Sequence, residues 1–210
     1  MKLQLALDLL DENEALQVTK EVGKYFDIIE VGTSLLKLCG IDIINKIKTI
    51  CPDKQIFVDA KIIDGPEREA TLMYASGTDI FSVLGCSTDI SINKILNIAN
   101  KKNIEVVIDM QSIKDYKSRS KELKSMGIKN LCIHKNKDCG DNLEDSFKEF
   151  LDIKELTNLS MSIAGGINLN NIEDIKSKLN PDVVIIGGAI VKSNNRILTA
   201  KKFSKIKNNF

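Results

Sequence analysis

Asp59, Lys61 and Asp64 bring two carboxylates and an ammonium together at the end of the apolar run 55–61. Residues two apart on an extended strand share a face, so Asp59 and Lys61 project together. An ammonium beside a carboxylate keeps its charge. A cation fixed in this way suits an anionic oxygen that develops in a transition state. Taken alone, the pair reads more readily as an ordinary structural ion pair. Its company points to chemistry, because other apolar runs end in Asp8, Glu30, Asp109 and His134. Charged groups there are costly unless solvated or paired.

Each of these residue types has a task it could perform. Glu30 and Asp59 are hard oxygen ligands, and two carboxylates completed by substrate oxygens and water make a typical Mg²⁺ site. Asp8 and Asp109 could orient Lys61 or touch substrate hydroxyls; helix capping is the plainer alternative. His134 is the only histidine in the chain. It shares a strand face with Cys132, and an imidazole suits proton transfer near neutral pH. A single histidine excludes a multi-histidine zinc centre. Two glycine pairs, Gly165-Gly166 and Gly187-Gly188, stand 22 residues apart. Bare glycine backbone lets N–H groups approach an anion closely.

These residues need a scaffold that aims separate strand ends at one point. Eight short apolar runs rich in β-branched residues occur at 3–8, 27–31, 55–61, 79–84, 104–110, 130–134, 159–164 and 182–186. Helical stretches alternate with them. Asp11 caps one that runs to about Lys24, and others cover about 41–50, 67–76, 90–102, 116–126, 143–156, 170–178 and 197–207. Gly77 and Gly127 follow two of these as stop signals. Eight βα units predict a single (β/α)₈ barrel domain over residues 1–210, with its chemistry at the C-terminal strand ends and phosphate in the last two loops. A doubly wound open sheet is the alternative. It would usually carry a glycine-rich turn after the first strand, where this chain reads Asp8-Leu9-Leu10-Asp11.

Composition narrows the function classes. The 210 residues carry a net charge of +1, with three arginines and no Trp, so neither nucleic acid nor an anionic membrane is an expected partner. No apolar run reaches the ~20 residues of a membrane span. Five cysteines form no CxxC pair, an odd count that suits a reducing cytoplasm.

With these residues in hand, the chain resembles the orotidine monophosphate decarboxylase superfamily over nearly its whole length. The resemblance rests on the opening Leu3-Gln4-Leu5-Ala6-Leu7-Asp8, on Asp27-Ile28-Ile29-Glu30-Val31-Gly32-Thr33, and on the DxKxxD motif at Asp59, Lys61 and Asp64. Val107-Ile108-Asp109-Met110, His134 and both glycine pairs extend it. It implies a homodimer with active sites shared at the subunit interface, Asp64 being lent to the neighbour's site. It implies Glu30 and Asp59 as Mg²⁺ ligands, Lys61 as the residue that stabilises an enediolate, and His134 as acid and base. Asp8 and Asp109 become substrate contacts, and Gly166, Gly187 and Gly188 hold a sugar phosphate.

The branch it resembles most is an aldolase that condenses ribulose 5-phosphate with formaldehyde. A sibling branch decarboxylates 3-keto-L-gulonate 6-phosphate. Asp109 stands where that sibling has Glu, and Gly188 where it has Arg. Lys137 stands where it has Arg, and the loop Lys135-Asn136-Lys137-Asp138 departs from the aldolase pattern, as do Cys139-Gly140-Asp141-Asn142 and Gly65-Pro66. A non-catalytic sugar-phosphate-binding barrel is the reading from another class.

Overall fold

A computed structural model describes residues 1–135 and 143–208. Residues 136–142, the part of the departing loop that holds Lys137 and Cys139, lie outside the described residues. Eight parallel strands close a barrel in sequence order. They are β1 (Lys2–Leu7), β2 (Ile28–Val31), β3 (Gln55–Ile62), β4 (Ile80–Leu84), β5 (Glu105–Asp109), β6 (Asn130–His134), β7 (Ser160–Ala164) and β8 (Val183–Ile186). The expected (β/α)₈ architecture is therefore present, and the open doubly wound sheet is not.

Helices link the strands around the outside. They are α1 (Glu12–Val22), α2 (Thr33–Cys39), α3 (Asp42–Ile50), α4 (Pro66–Ala75), α5 (Asp89–Lys102), α6 (Tyr116–Ser125), α7 (Glu144–Thr157), α8 (Ile172–Leu179), α9 (Gly188–Val191) and α10 (Arg196–Asn208). Asp11 caps α1 by accepting from the Glu14 amide at 2.9 Å. Gly77 and Gly127 take left-handed φ values of 78° and 93° after α4 and α6, the conformation that ends a helix. The sequence had not indicated α2 or α9.

Strands covered on both faces explain the near-continuous apolar runs. Leu3, Leu5 and Leu7 belong to the large core between barrel and helices, whereas Ile28, Phe57 and Ile80 form a second cluster with Val107 and Val183. Burying each such side chain contributes about 1.5–3 kcal/mol. Aspartates tie the N-terminal rim. Asp27, Asp79 and Asp182 each precede an even-numbered strand and accept from Leu3, Ile56 and Met161 amides of the preceding strand, at 2.8, 2.7 and 2.8 Å. With that rim pinned, the opposite end is left to bind and react.

Candidate active site

The C-terminal mouth holds a cavity of about 590 Å³, walled by residues from all eight strands or the loops that follow them. Asp8, Glu30, Asp59, Asp109 and His134 line it, and so do Gly165, Gly166, Gly187 and Gly188. Lys61 reaches the same cluster. Its Nζ lies 2.7 Å from Asp109 Oδ2, 3.1 Å from Asp59 Oδ2 and 3.5 Å from His134 Nδ1. Four side chains on β3, β5 and β6 thus meet at one point.

Asp59 and Lys61 both aim into the mouth, as expected, but a regular pleat is not what aims them. Pairing with β4 runs Phe57↔Ile80 and Val58↔Phe81, then resumes only at Ile62↔Val83. Residues 59–61 therefore bulge opposite a single β4 residue, Ser82. Lys61 sits at φ 47°, a left-handed conformation that costs a non-glycine residue about 1–3 kcal/mol and persists where the surroundings enforce it.

Electrostatics separate the groups by role. Burial would lower the Lys61 pKa, but the charges of Asp59 and Asp109 and hydrogen bonds to both overcome it and hold the ammonium well above its ordinary range. Burial likewise works against the Asp109 carboxylate; hydrogen bonding and charge from His134 and Lys61 win, and it stays ionised below the usual carboxylate range. His134 Nδ1 lies 3.0 Å from Asp109 Oδ2. A carboxylate only accepts, so Nδ1 carries the proton and Nε2 is left as the basic nitrogen. The Gln111 amide donates to the other Asp109 oxygen at 2.8 Å.

Glu30 is different. It is 5% exposed, and burial followed by the charge of Asp59 raises its pKa well above the ordinary value. Gln4 Nε2 donates to its Oε2 at 2.6 Å. Two carboxylates from adjacent strands that repel each other at a buried cavity wall fit a hard divalent cation, which would relieve the repulsion. Among the described residues no three Asp, Glu, His or Cys side chains form a complete metal cage.

The two glycine turns sit against this cluster. Gly165 has φ 98°, and a Cβ there would collide with the backbone carbonyl of Lys135. Gly166, at φ 66°, offers its carbonyl to the side-chain amides of Asn168 and Asn171 at 3.1 Å, which fixes the turn. Asp64 is exposed and does not line the cavity of its own chain.

Sequence reasoning missed Gln4, Thr33, Ser82, Gln111, Asn168 and Lys192. Thr33 Oγ1 donates to the Asp59 carbonyl at 2.7 Å, and Asn168 and Lys192 line the cavity beside the glycine turns. A usable signal existed for Gln4 and Ser82: each is a polar residue interrupting an apolar strand, and both are buried at 2% exposure.

Fold and site together define a (β/α)₈-barrel enzyme with a carboxylate–ammonium–imidazole cluster facing two glycine turns. Residues 1–203 match the Orotidine 5'-phosphate decarboxylase / HUMPS family, and the chain belongs to it. The 3-hexulose-6-phosphate synthase of Bacillus subtilis (strain 168) is 34% identical over 207 residues, 98% of either chain. The crystal structure of 3-hexulose-6-phosphate synthase from Salmonella typhimurium superposes with a TM-score of 0.92 at 34% identity, covering 98% of each chain. That of 3-keto-L-gulonate-6-phosphate decarboxylase from Vibrio cholerae O1 biovar El Tor shares the fold, with a TM-score of 0.83 at 23% identity over 100% of this chain and 98% of the other. The chain is accordingly a lyase of a family that acts on phosphorylated sugars and nucleotides.

Proposed function

We propose that this chain is a 3-hexulose-6-phosphate synthase, joining ribulose 5-phosphate to formaldehyde by an aldol condensation. The observation that carries the reading is the meeting of Lys61 Nζ, Asp109, Asp59 and His134 at the mouth, in a chain 34% identical to synthases of that name. Glu30 and Asp59 would hold Mg²⁺, which supplies Lewis-acid polarisation of the substrate carbonyl.

The chain's own residues do the rest. The glycine turns at Gly166, Gly187 and Gly188 seat the phosphate, with Asp8 on the substrate hydroxyls. His134 takes the proton from C1 of ribulose 5-phosphate, and Asp109 steadies the imidazolium that results. Lys61 stabilises the negative oxygen of the enediolate. The C1 carbon then bonds to the formaldehyde carbon, whose oxygen takes a proton back from His134. The formaldehyde carbon becomes C1 of hex-3-ulose 6-phosphate.

The working unit is a homodimer in which Asp64 completes the partner's site. Leu10 after β1, Leu38 on α2 and Ile63 after β3, next to Asp64 in sequence, are 77%, 53% and 51% exposed and leave apolar surface for a partner. The described cysteines are all unpaired, which suits a reducing cytoplasm. No described helix is long and apolar enough to cross a membrane. Parallel assays test the reading. Formaldehyde consumption with ribulose 5-phosphate and Mg²⁺ is expected to exceed CO₂ release from 3-keto-L-gulonate 6-phosphate. The reverse order would assign the decarboxylase instead, and binding without turnover a non-catalytic barrel.

A further inference from the structure

The left-handed bulge that aims Lys61 is held from the neighbouring strand. A backbone amide displaced from its ladder needs another acceptor. Ser82, the one β4 residue opposite the bulge, provides it: the Lys61 amide donates to Ser82 Oγ at 2.9 Å. The same hydroxyl donates to Asp59 Oδ1 at 2.7 Å. The roles are fixed, since an amide only donates and a carboxylate only accepts. Ser82 is 2% exposed, at the inner wall of the cavity.

We propose that Ser82 is a positioning residue: its single hydroxyl locks the Lys61 backbone and the Asp59 carboxylate in one arrangement. Lys61 Nζ is thereby held against Asp59 Oδ2 and Asp109 Oδ2 rather than swinging into the cavity. Alanine at this place removes both bonds and leaves a buried N–H and a buried carboxylate oxygen short of a partner. Threonine keeps the hydroxyl and suits a strand. Cysteine keeps the volume but hydrogen-bonds weakly. The kinetic consequence rests on the proposed function; the structural one does not.

The experiment compares wild type with Ser82→Ala, Ser82→Cys and Ser82→Thr, with Ser76→Ala as a control. Ser76 is a buried serine at the C-terminal end of α4 whose hydroxyl donates to the Met73 carbonyl at 2.8 Å. Two quantities are read: kcat and KM for ribulose 5-phosphate with formaldehyde and Mg²⁺, and hydrogen exchange of the Lys61 amide by NMR without substrate. Ser82→Ala is expected to lower kcat about 10- to 100-fold with KM changed less than about threefold, the scale of a misplaced catalytic group. It should speed Lys61 amide exchange by about tenfold or more. Ser82→Cys should move both in the same direction, and it replaces the alanine variant if that one does not fold. Ser82→Thr should restore both, and Ser76→Ala should leave both within about twofold.

Wild-type kcat in Ser82→Ala or Ser82→Cys, a loss that threonine does not restore, or unchanged Lys61 exchange overturns the proposal. A wild-type protein inert towards ribulose 5-phosphate and formaldehyde overturns the functional reading alone. The exchange rates then decide the role of Ser82, with equal rates in wild type and variants counting against it.

Discussion

Lys61 Nζ lies 2.7 Å from Asp109 Oδ2, so an ammonium from β3 is clamped by a carboxylate from β5, the two strands that flank β4. The carboxylate also holds His134. Asp109 therefore couples the cation that would stabilise negative charge to the imidazole that would move the proton.

Removing the cation should be severe. Lys61→Ala is expected to lower kcat at least ~10²-fold, the scale of losing one transition-state donor, with a smaller change in KM. Steady-state kinetics on ribulose 5-phosphate and formaldehyde check it, and retained kcat would take Lys61 out of the mechanism.

The proposed metal ligands make a binding prediction separate from turnover. Glu30→Gln and Asp59→Asn should each weaken Mg²⁺ or Mn²⁺ binding about 10- to 100-fold or more, read by titration calorimetry. Chelation of wild type should abolish activity, and added Mg²⁺ should restore it. Unaltered ion affinity in both variants would move the metal elsewhere.

Shared active sites can be tested by mixing two inactive variants. A heterodimer of Lys61→Ala with Asp64→Asn would carry both defects in one site and neither in the other. Random re-association should recover about a quarter of wild-type activity. No recovery despite exchange of subunits would mean that Asp64 serves its own chain or none.

Glu149, on α7, predicts a pH dependence of stability. Burial, and then the negative charge of Asp109, raises its pKa from 4.5 to about 7. The folded state thus holds this proton more tightly than the unfolded chain does. The associated stability is complete below pH 4.5 and is lost as pH climbs through about 7. Glu149 is partly exposed, so after solvent screening the loss is on the order of 1 kcal/mol. Glu149→Gln should remove this slope and raise the melting temperature above pH 7. A wild-type-like profile in the variant would contradict it.

At the β7 turn, Gly165→Ala forces a side chain onto the Lys135 carbonyl at φ 98°. A loss of about 1–3 kcal/mol is expected, measured by denaturant unfolding, together with weaker phosphate binding.

The barrel was legible because its strands are apolar on both faces and seven of the eight end at a charged residue or a glycine pair, β4 running instead into Gly85-Cys86. Asp8, Glu30, Asp59, Asp109 and His134 could be placed at one mouth on that basis alone. The bulge could not. Alternation shows which face a residue takes, but the β3–β4 register depends on a hydroxyl 21 residues further along, at Ser82. Helix α9 escaped because it spans four residues and begins at Gly188, which reads as a turn. Helix α2 escaped because it starts directly after Gly32, where the sequence reads as a strand exit.

The most direct test of the central claim is carbon–carbon bond formation itself. With [¹³C]formaldehyde, ribulose 5-phosphate and Mg²⁺, the label should appear by NMR at C1 of a hex-3-ulose 6-phosphate, one carbon for each formaldehyde consumed. Label that stays in free formaldehyde, while 3-keto-L-gulonate 6-phosphate releases CO₂ or neither substrate reacts, would contradict it.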